Sequence, residues 1–242
     1  MPRREAHFWR IGLNYWEDFL GVERVRGFSP GRLARLKADL AECLARVDNP
    51  GYFAARLHSG EHWRLWHHFR PRAAYLDIET TGLYWPGLQV TVVGLYDGAV
   101  MRQFVHGHNL RDFPAAMSDF DLIVTYNGTQ FDLPVLRSYF PGLRLPPVHV
   151  DLRFLLARLG YRGGLKGIEP QFGIHRPSEV EGLDGFMAVI LWERFQRGDD
   201  RALSLLLKYN REDVINLEYL MERAFEMHRR RLLGTAGAPA SL

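Results

Sequence analysis

The 242 residues carry 31 basic against 28 acidic side chains, with 47% hydrophobic and 24% charged residues and one cysteine. That balance is that of a soluble globular chain, large enough for one substantial domain with a small appendage, and a lone Cys43 excludes an internal disulfide. No apolar stretch approaches membrane-spanning length and no signal-peptide pattern opens the chain, so the expected location is the cytoplasm, without a membrane partner.

The basic residues are 3 lysines and 28 arginines. Arginine holds phosphate through a planar fork, which suits a nucleic-acid partner, but the same bias suits a GC-rich or heat-adapted source.

Residues 1–70 read as a helical N-terminal module. Ser29-Pro30 signals a helix start, Leu33, Leu36, Leu40, Leu44 and Val47 form an apolar stripe at helical spacing, and Asn49-Pro50-Gly51 signals its stop. Cys43 lies beside the stripe, as a packing residue. Trp63, Trp66 and Phe69, interleaved with His62, Arg64, His67 and His68, could stack on bases, but helical spacing favours an interface between packed modules. Pro71 marks a boundary. Beyond it, 73–77, 90–96 and 100–105 read as strands, and Asp97-Gly98 joins the second and third as an antiparallel hairpin. A fourth strand at 122–126 leads into a helix near 130–140, and a short fifth at 148–150 into a helix at 152–159. The pattern predicts an α/β fold: a mixed sheet with helices packed on it. A long helix over about 200–228, started by Asp199 or Asp200, closes a domain of residues 71–228, and 229–242 reads as a basic, frayed tail.

Three acidic clusters carry the chemistry. Asp77-Ile78-Glu79-Thr80-Thr81-Gly82 follows the first apolar strand. Alternation places Asp77 and Glu79 on one face, with Leu76 and Ile78 on the other. Two carboxylates side by side at a strand end can seat hard divalent cations, or can be solvated acids at a sheet edge. The second cluster, Tyr126-Asn127-Gly128-Thr129-Gln130-Phe131-Asp132, lies where a strand ends and a helix begins, the usual ligand site of an α/β sheet. The third, Tyr209-Asn210-Arg211-Glu212-Asp213, lies in the last helix. Tyr209 and Asp213, four apart, share a face with the inward-packing Leu206, Leu217 and Leu220, and an aspartate there calls for a partner or a metal.

D-I-E-T-T-G, then N-x-x-x-F-D, then Y-x-x-x-D, in this order after suitable elements, resembles the DEDD (DnaQ-like) 3′–5′ exonucleases of ribonuclease H-like fold, and their DEDDy branch in particular. Gly164 to Glu169, Gly173-Ile174 and Tyr209 to Asp213 are similar to the C-terminal half of bacterial YprB-like exonucleases. The resemblance covers roughly residues 50–228, and more faintly Trp16 to Leu20.

The resemblance implies Asp77, Glu79, Asp132 and Asp213 as ligands of two divalent cations, Mg²⁺ or Mn²⁺, and Tyr209 as the group that orients or deprotonates the attacking water. It also implies release of nucleoside 5′-monophosphates from 3′ ends of single-stranded DNA or RNA, with a helicase or similar processing protein as a conceivable partner. Asn127 and Phe131 are expected to face the substrate, although Phe131 suits core packing equally well. Thr80, Thr81 and Leu83 are expected to hold the 3′ end, and Lys166 to contact phosphate. Asp151 is expected as an N-cap and His149 as a wall of the cleft. His106-Gly107-His108 has no third ligand nearby and reads as a polar loop. Two alternatives are a binding module with vestigial catalysis and a structure-specific endonuclease on the same fold.

Overall fold

The computed structural model describes residues 2–82 and 87–233. Strand β1 (Ala73–Thr80) is the centre of a five-stranded sheet with β2 (Val90–Tyr96), β3 (Met101–Val105), β4 (Leu122–Thr125) and β5 (Val148–Asp151), in the order β3-β2-β1-β4-β5. β1 runs antiparallel to β2, and β2 to β3, while β1, β4 and β5 are parallel. The hairpin closes at Gly98, whose φ of 90° suits glycine, and Asp97 Oδ1 accepts from the amides of Ala99 and Val100.

Alternation along β1 builds both layers of the core. Ala73 and Tyr75 point to one side, against Val124, Val150 and the long helix residues Val214, Leu217 and Met221. Ala74, Leu76 and Ile78 point to the other, against Val93, Phe113, Leu133 and Leu136. Asp77 and Glu79 therefore belong to the long-helix face. That helix spans Asp200–Leu233 and is started by Asp199, whose Oδ1 accepts from the amides of Arg201 and Ala202.

The other helices, numbered in chain order, are α1 (Pro2–Arg10), α2 (Trp16–Gly21), α3 (Pro30–Ala45), α4 (Pro50–Ala54), α5 (Trp66–Phe69), α6 (Phe113–Ala116), α7 (Asp132–Tyr139), α8 (Leu152–Ala157), α9 (Leu165–Ile168) and α10 (Gly185–Gln196), so the long helix is α11. α3 has its expected cap, Ser29 Oγ accepting from the Arg32 amide. Asn49-Pro50 does something other than stop it: α3 ends at Ala45, and Asn49 caps α4, with Pro50 in its first turn. α10 was not legible in the sequence; its segment is apolar nearly all round, yet only Ala188, Leu191 and Trp192 are buried, packed with Leu206 and Tyr209, while Phe186 is exposed.

Trp63, Trp66 and Phe69 are buried in the core shared with Tyr75 and Leu122, and Trp66 Nε1 donates to the Tyr75 hydroxyl at 3.3 Å. They are packing residues, as helical spacing favoured. Leu13, Phe19, Val25 and Leu33 form a separate small cluster nearer the N-terminus. The C-terminal helix extends five residues past the expected end at 228, to Leu233. His228 is buried with Nε2 3.0 Å from the Leu155 carbonyl, and Arg231 donates to the Arg158 carbonyl, so the arginine run is docked helix. The rest of the expected tail, 234–242, lies outside the described residues. No described helix is long and apolar enough to cross a membrane.

Candidate metal centre

β1 outruns β4: their pairing ends at Tyr75 opposite Val124, while β1 continues to Thr80. The edge opened beyond Tyr75 lies where the chain turns to β2 on one side of β1 and to β4 on the other, a topological switch point. Into this opening come Asp77 and Glu79 from β1, Asp132 from the first turn of α7, and Tyr209 and Asp213 from α11.

Ligand oxygens of Asp77, Glu79 and Asp213 all lie within 4.8 Å of one another. Glu79 and Asp213 are buried, and Asp77 is partly open to solvent. Asp132, 4% exposed, stands beside this trio rather than in it: its Oδ1 accepts from the Ile78 amide at 3.2 Å. That amide belongs to the edge β4 leaves unpaired. Tyr209 is buried on the same helix face, and its hydroxyl accepts from Lys166 Nζ, which also lies 3.6 Å from Asp213 Oδ2.

Burial, then the charges of Asp213, Asp132 and Glu79, hold the Asp77 carboxyl well above the usual carboxylate range. Burial, then Asp213, does the same to Glu79. Asp132 is pushed up to about 7, mainly by burial, against the lowering effect of backbone amides. The Tyr209 phenol is raised too, by burial and then by Asp213, Glu79 and Asp77, so it stays protonated. The donors fit a hard divalent cation: all are oxygens, and Glu79 Oε1 is a buried atom without a hydrogen-bond partner.

The acidic cluster has a thermodynamic signature. An acid whose folded pKa is raised costs no stability below its unfolded pKa and its full cost above its folded one. For Asp132 that window runs from about 4 to about 7. In chelator, Asp132→Asn should match the wild-type melting temperature near the bottom of the window and exceed it increasingly toward the top. Thermal melts of both proteins across that range check this; a constant difference would show that Asp132 titrates normally.

Two further residues hold the site together. Gly94 pairs with Asp77 on one side and Gln103 on the other, and α11 crosses the sheet directly over it. The fully buried Asn210 sits in this crossing. Gln103 Nε2 donates to its Oδ1 at 3.1 Å, and its own Nδ2 lies 3.4 Å from Asp77 Oδ2. Asn210 had a legible signal, standing three residues before Asp213 on the same helix face, and Gly94 had one as a glycine inside a strand. The Glu169–Arg176 pair also reaches Asp213; Glu169 ends the Gly164 to Glu169 segment that carries the family resemblance, whereas Arg176, from a loop, had no signal.

The expected substrate residues are placed less uniformly. Thr80 Oγ1 donates to the Gly82 carbonyl, and Thr81 Oγ1 accepts from the Gln89 amide, so both hydroxyls close the loop after β1. Leu83 lies outside the described residues. Asn127 has a φ of 69°, and its Oδ1 accepts from Arg153 Nη1 at 2.7 Å. Phe131 is partly buried against the α7-side core. Asp151 is the expected N-cap, accepting from the Arg153 amide, and it also receives the amides of Asn127 and Thr129, which fixes that loop. His149 lines a cavity of about 270 Å³ with Gly60, Trp63, Thr129 and Phe154, and burial pushes it down to about 4, so it is neutral. His106 Nδ1 is 2.9 Å from the Tyr139 hydroxyl, in a loop without a metal cluster among the described residues.

A family profile described as the RNase_H superfamily matches residues 74–225. The chain belongs to the RNase H superfamily. That match takes in all five strands except Ala73, and Asp77, Glu79, Asp132 and Asp213. No curated protein sequence matches the chain. Among solved structures, the family B DNA polymerase from the hyperthermophilic archaeon Pyrobaculum calidifontis is similar at 20% identity and a TM-score of 0.53. The alignment covers 69% of this chain and 27% of the polymerase chain, so this protein corresponds to about a quarter of it and the likeness is one of fold. Two smaller likenesses are to Brucella melitensis NrnC with bound Mg²⁺ (20% identity, 71% and 82% coverage, TM-score 0.44) and to Escherichia coli RNase D, an exoribonuclease involved in structured RNA processing (18% identity, 74% and 49% coverage, TM-score 0.42).

Proposed function

We propose that this RNase H superfamily protein is a metal-dependent 3′–5′ exonuclease that hydrolyses phosphodiester bonds of DNA or RNA and releases nucleoside 5′-monophosphates. The observation that carries the reading is the trio of Asp77, Glu79 and Asp213 oxygens within 4.8 Å at the sheet's switch point, Glu79 and Asp213 buried and Asp132 beside them. Asp77, Glu79 and Asp213, with Asp132 beside them, would hold two divalent cations, Mg²⁺ or Mn²⁺. Bound there, such ions activate water and offset the charge that develops on the scissile phosphate and the departing 3′ oxygen.

The chain's own groups do the rest. Without metal, burial and the charges of Asp213, Glu79 and Asp77 hold the proton on Tyr209; beside bound cations it would orient or help deprotonate the attacking water. Lys166 already contacts the Tyr209 hydroxyl and Asp213, which makes it a mobile positive charge beside the reacting phosphate. The Asn127–Arg153 pair sets an exposed guanidinium at the mouth of the site, suited to a phosphate of the bound strand. Thr80 and Thr81 act through the shape of the loop they close.

One observation favours a second reading, a nucleic-acid-binding module with vestigial catalysis. Lys166 and Arg176 both contact Asp213, so part of the cluster's charge is balanced without metal. A single experiment separates the two. A 5′-labelled single-stranded DNA and its RNA counterpart are incubated with Mg²⁺, Mn²⁺ or chelator. The exonuclease yields a metal-dependent ladder shortening from the 3′ end. An internal cut gives one discrete product, and intact substrate beside tight binding supports the module.

A further inference from the structure

We infer that Arg176 is a positioning residue for Asp213: a buried guanidinium, locked by Glu169, that engages one oxygen of Asp213 and leaves the other to a cation. The inference rests on the metal-dependent reading above and concerns how this chain builds that site.

The Arg176 side chain is 7% exposed and that of Glu169 2%. Arg176 Nε and Nη2 donate to Glu169 Oε2 and Oε1 at 2.7 and 2.6 Å, a bidentate fork. Asn216 Nδ2, on α11 one turn beyond Asp213, donates to the same Glu169 Oε1 at 3.0 Å. Glu169 is thus held by the fork and by α11, and it fixes the plane of the guanidinium. Arg176 Nη2 then makes a second hydrogen bond, to Asp213 Oδ1. Asp213 Oδ2 is the oxygen that remains, 3.6 Å from the half-buried Lys166 ammonium.

Two alternatives account for less. A purely structural ion pair would be complete with Glu169, and buried pairs of that kind add little net stability over an apolar replacement. The bond to Asp213 is the part such a role leaves unexplained. An arginine that binds phosphate needs a reachable donor, but Nη1 is buried without a partner and the other nitrogens are engaged. An aspartate on a helix has several rotamers, and a fixed partner on Oδ1 restricts that choice and leaves Oδ2 as the oxygen free to meet a cation.

Mn²⁺ binding, followed by titration calorimetry and by the electron paramagnetic resonance of free Mn²⁺, tests this on the full chain. The decisive variant is Glu169→Gln with Arg176→Gln. It removes one charge of each sign, so the net charge of the chain is unchanged; Arg176 is the one in contact with Asp213, so losing its positive charge should by itself favour a cation, and a loss of affinity reports geometry. Circular dichroism should show a folded protein, with Mn²⁺ bound about 10–100-fold more weakly than by wild type. Arg176→Lys, which keeps a charge on Glu169 but loses the fork, should also remain at least about tenfold weaker, and it decides the matter if the double variant does not fold. On labelled DNA both variants should lose kcat with KM unchanged. Wild-type Mn²⁺ affinity in the double variant, or full rescue by lysine, would overturn the positioning role while leaving the nuclease standing. Absence of Mn²⁺ binding by the wild type would instead overturn the metal-dependent reading, and this inference with it.

Discussion

Asp77→Asn is expected to lower cleavage on the order of 10³-fold or more while raising the melting temperature of the metal-free protein. The two effects share one cause. Asp77 is in the metal trio and feels the charge of Asp132 as well, so in the proposed mechanism its carboxylate is one of the ligands the cations need. Without metal, the same carboxylate adds to the repulsion among buried acids, which is why burial and the charges of Asp213, Asp132 and Glu79 raise its pKa. Asparagine keeps the shape and removes the charge, so it relieves the repulsion and removes the metal's attraction together. Metal dependence of stability then separates this from a general structural defect. A ligand at about 100 times its Kd stabilises by about 2.7 kcal/mol, which for a chain of this size is roughly 5–11 °C. Wild type should gain that much on addition of Mn²⁺, and Asp77→Asn only a small part of it. Scanning fluorimetry with and without chelator, beside cleavage of the end-labelled strand, reads both effects. An inactive variant that melts lower in chelator and still responds fully to Mn²⁺ would mean that Asp77 supports the fold and not the ions.

Much of this architecture is legible in the sequence because its signals are local. Strand alternation placed Asp77 and Glu79 on one face, Asp97-Gly98 closed the hairpin, and helical spacing put Tyr209 and Asp213 together; the sheet, turn and helix have those features. What sequence left obscure depends on contacts between distant segments. α10 carries an apolar pattern without a polar face, so no periodicity marks it as helix, and only its packing against α11 shows which face turns inward. Asn49-Pro50 has the same residues whether a helix ends before it or begins after it, and only the Asn49 side chain on the Tyr52 amide tells which. Arg176 and Glu169 meet Asp213 only because a loop and a short helical turn fold back on α11. Lys166 was readable as a basic residue in a glycine-rich turn, but its contact with Tyr209 was not. The hydroxyls of Thr80 and Thr81, expected at the 3′ end, also bond within their own loop, Thr80 to the Gly82 carbonyl and Thr81 to the Gln89 amide, contacts that no sequence pattern marks.

Gly94→Ala should have the next largest effect, and it acts from the centre of the sheet. The substitution is unremarkable locally, since Gly94 lies in a strand whose neighbours Val93 and Leu95 are ordinary β-formers. Its cost comes from α11. A Cβ at this position would lie 2.3 Å from Asn210 Oδ1 and 2.6 Å from Val214 Cγ2, both on a helix face fixed by the core. Neither neighbour can yield alone: Asn210 is held by Gln103, and Val214 is fully buried. The helix must therefore move away from the strand, at a cost of about 1–3 kcal/mol for overpacking. The same movement carries Tyr209 and Asp213 away from Asp77 and Glu79, because all four meet across this crossing. A displacement of about 1 Å at a reacting centre can lower the rate about 100-fold. The expected outcome is thus a folded, less stable protein with roughly 100-fold slower cleavage and weaker Mn²⁺ binding. Asn210→Ala distinguishes the clash from the loss of the amide near Asp77, since it removes that amide without forcing the helix outward. If Gly94→Ala kept full stability and rate, α11 could not pack as closely on β2 as the site requires; if Asn210→Ala matched its rate loss, the amide rather than the helix position would be what the glycine protects.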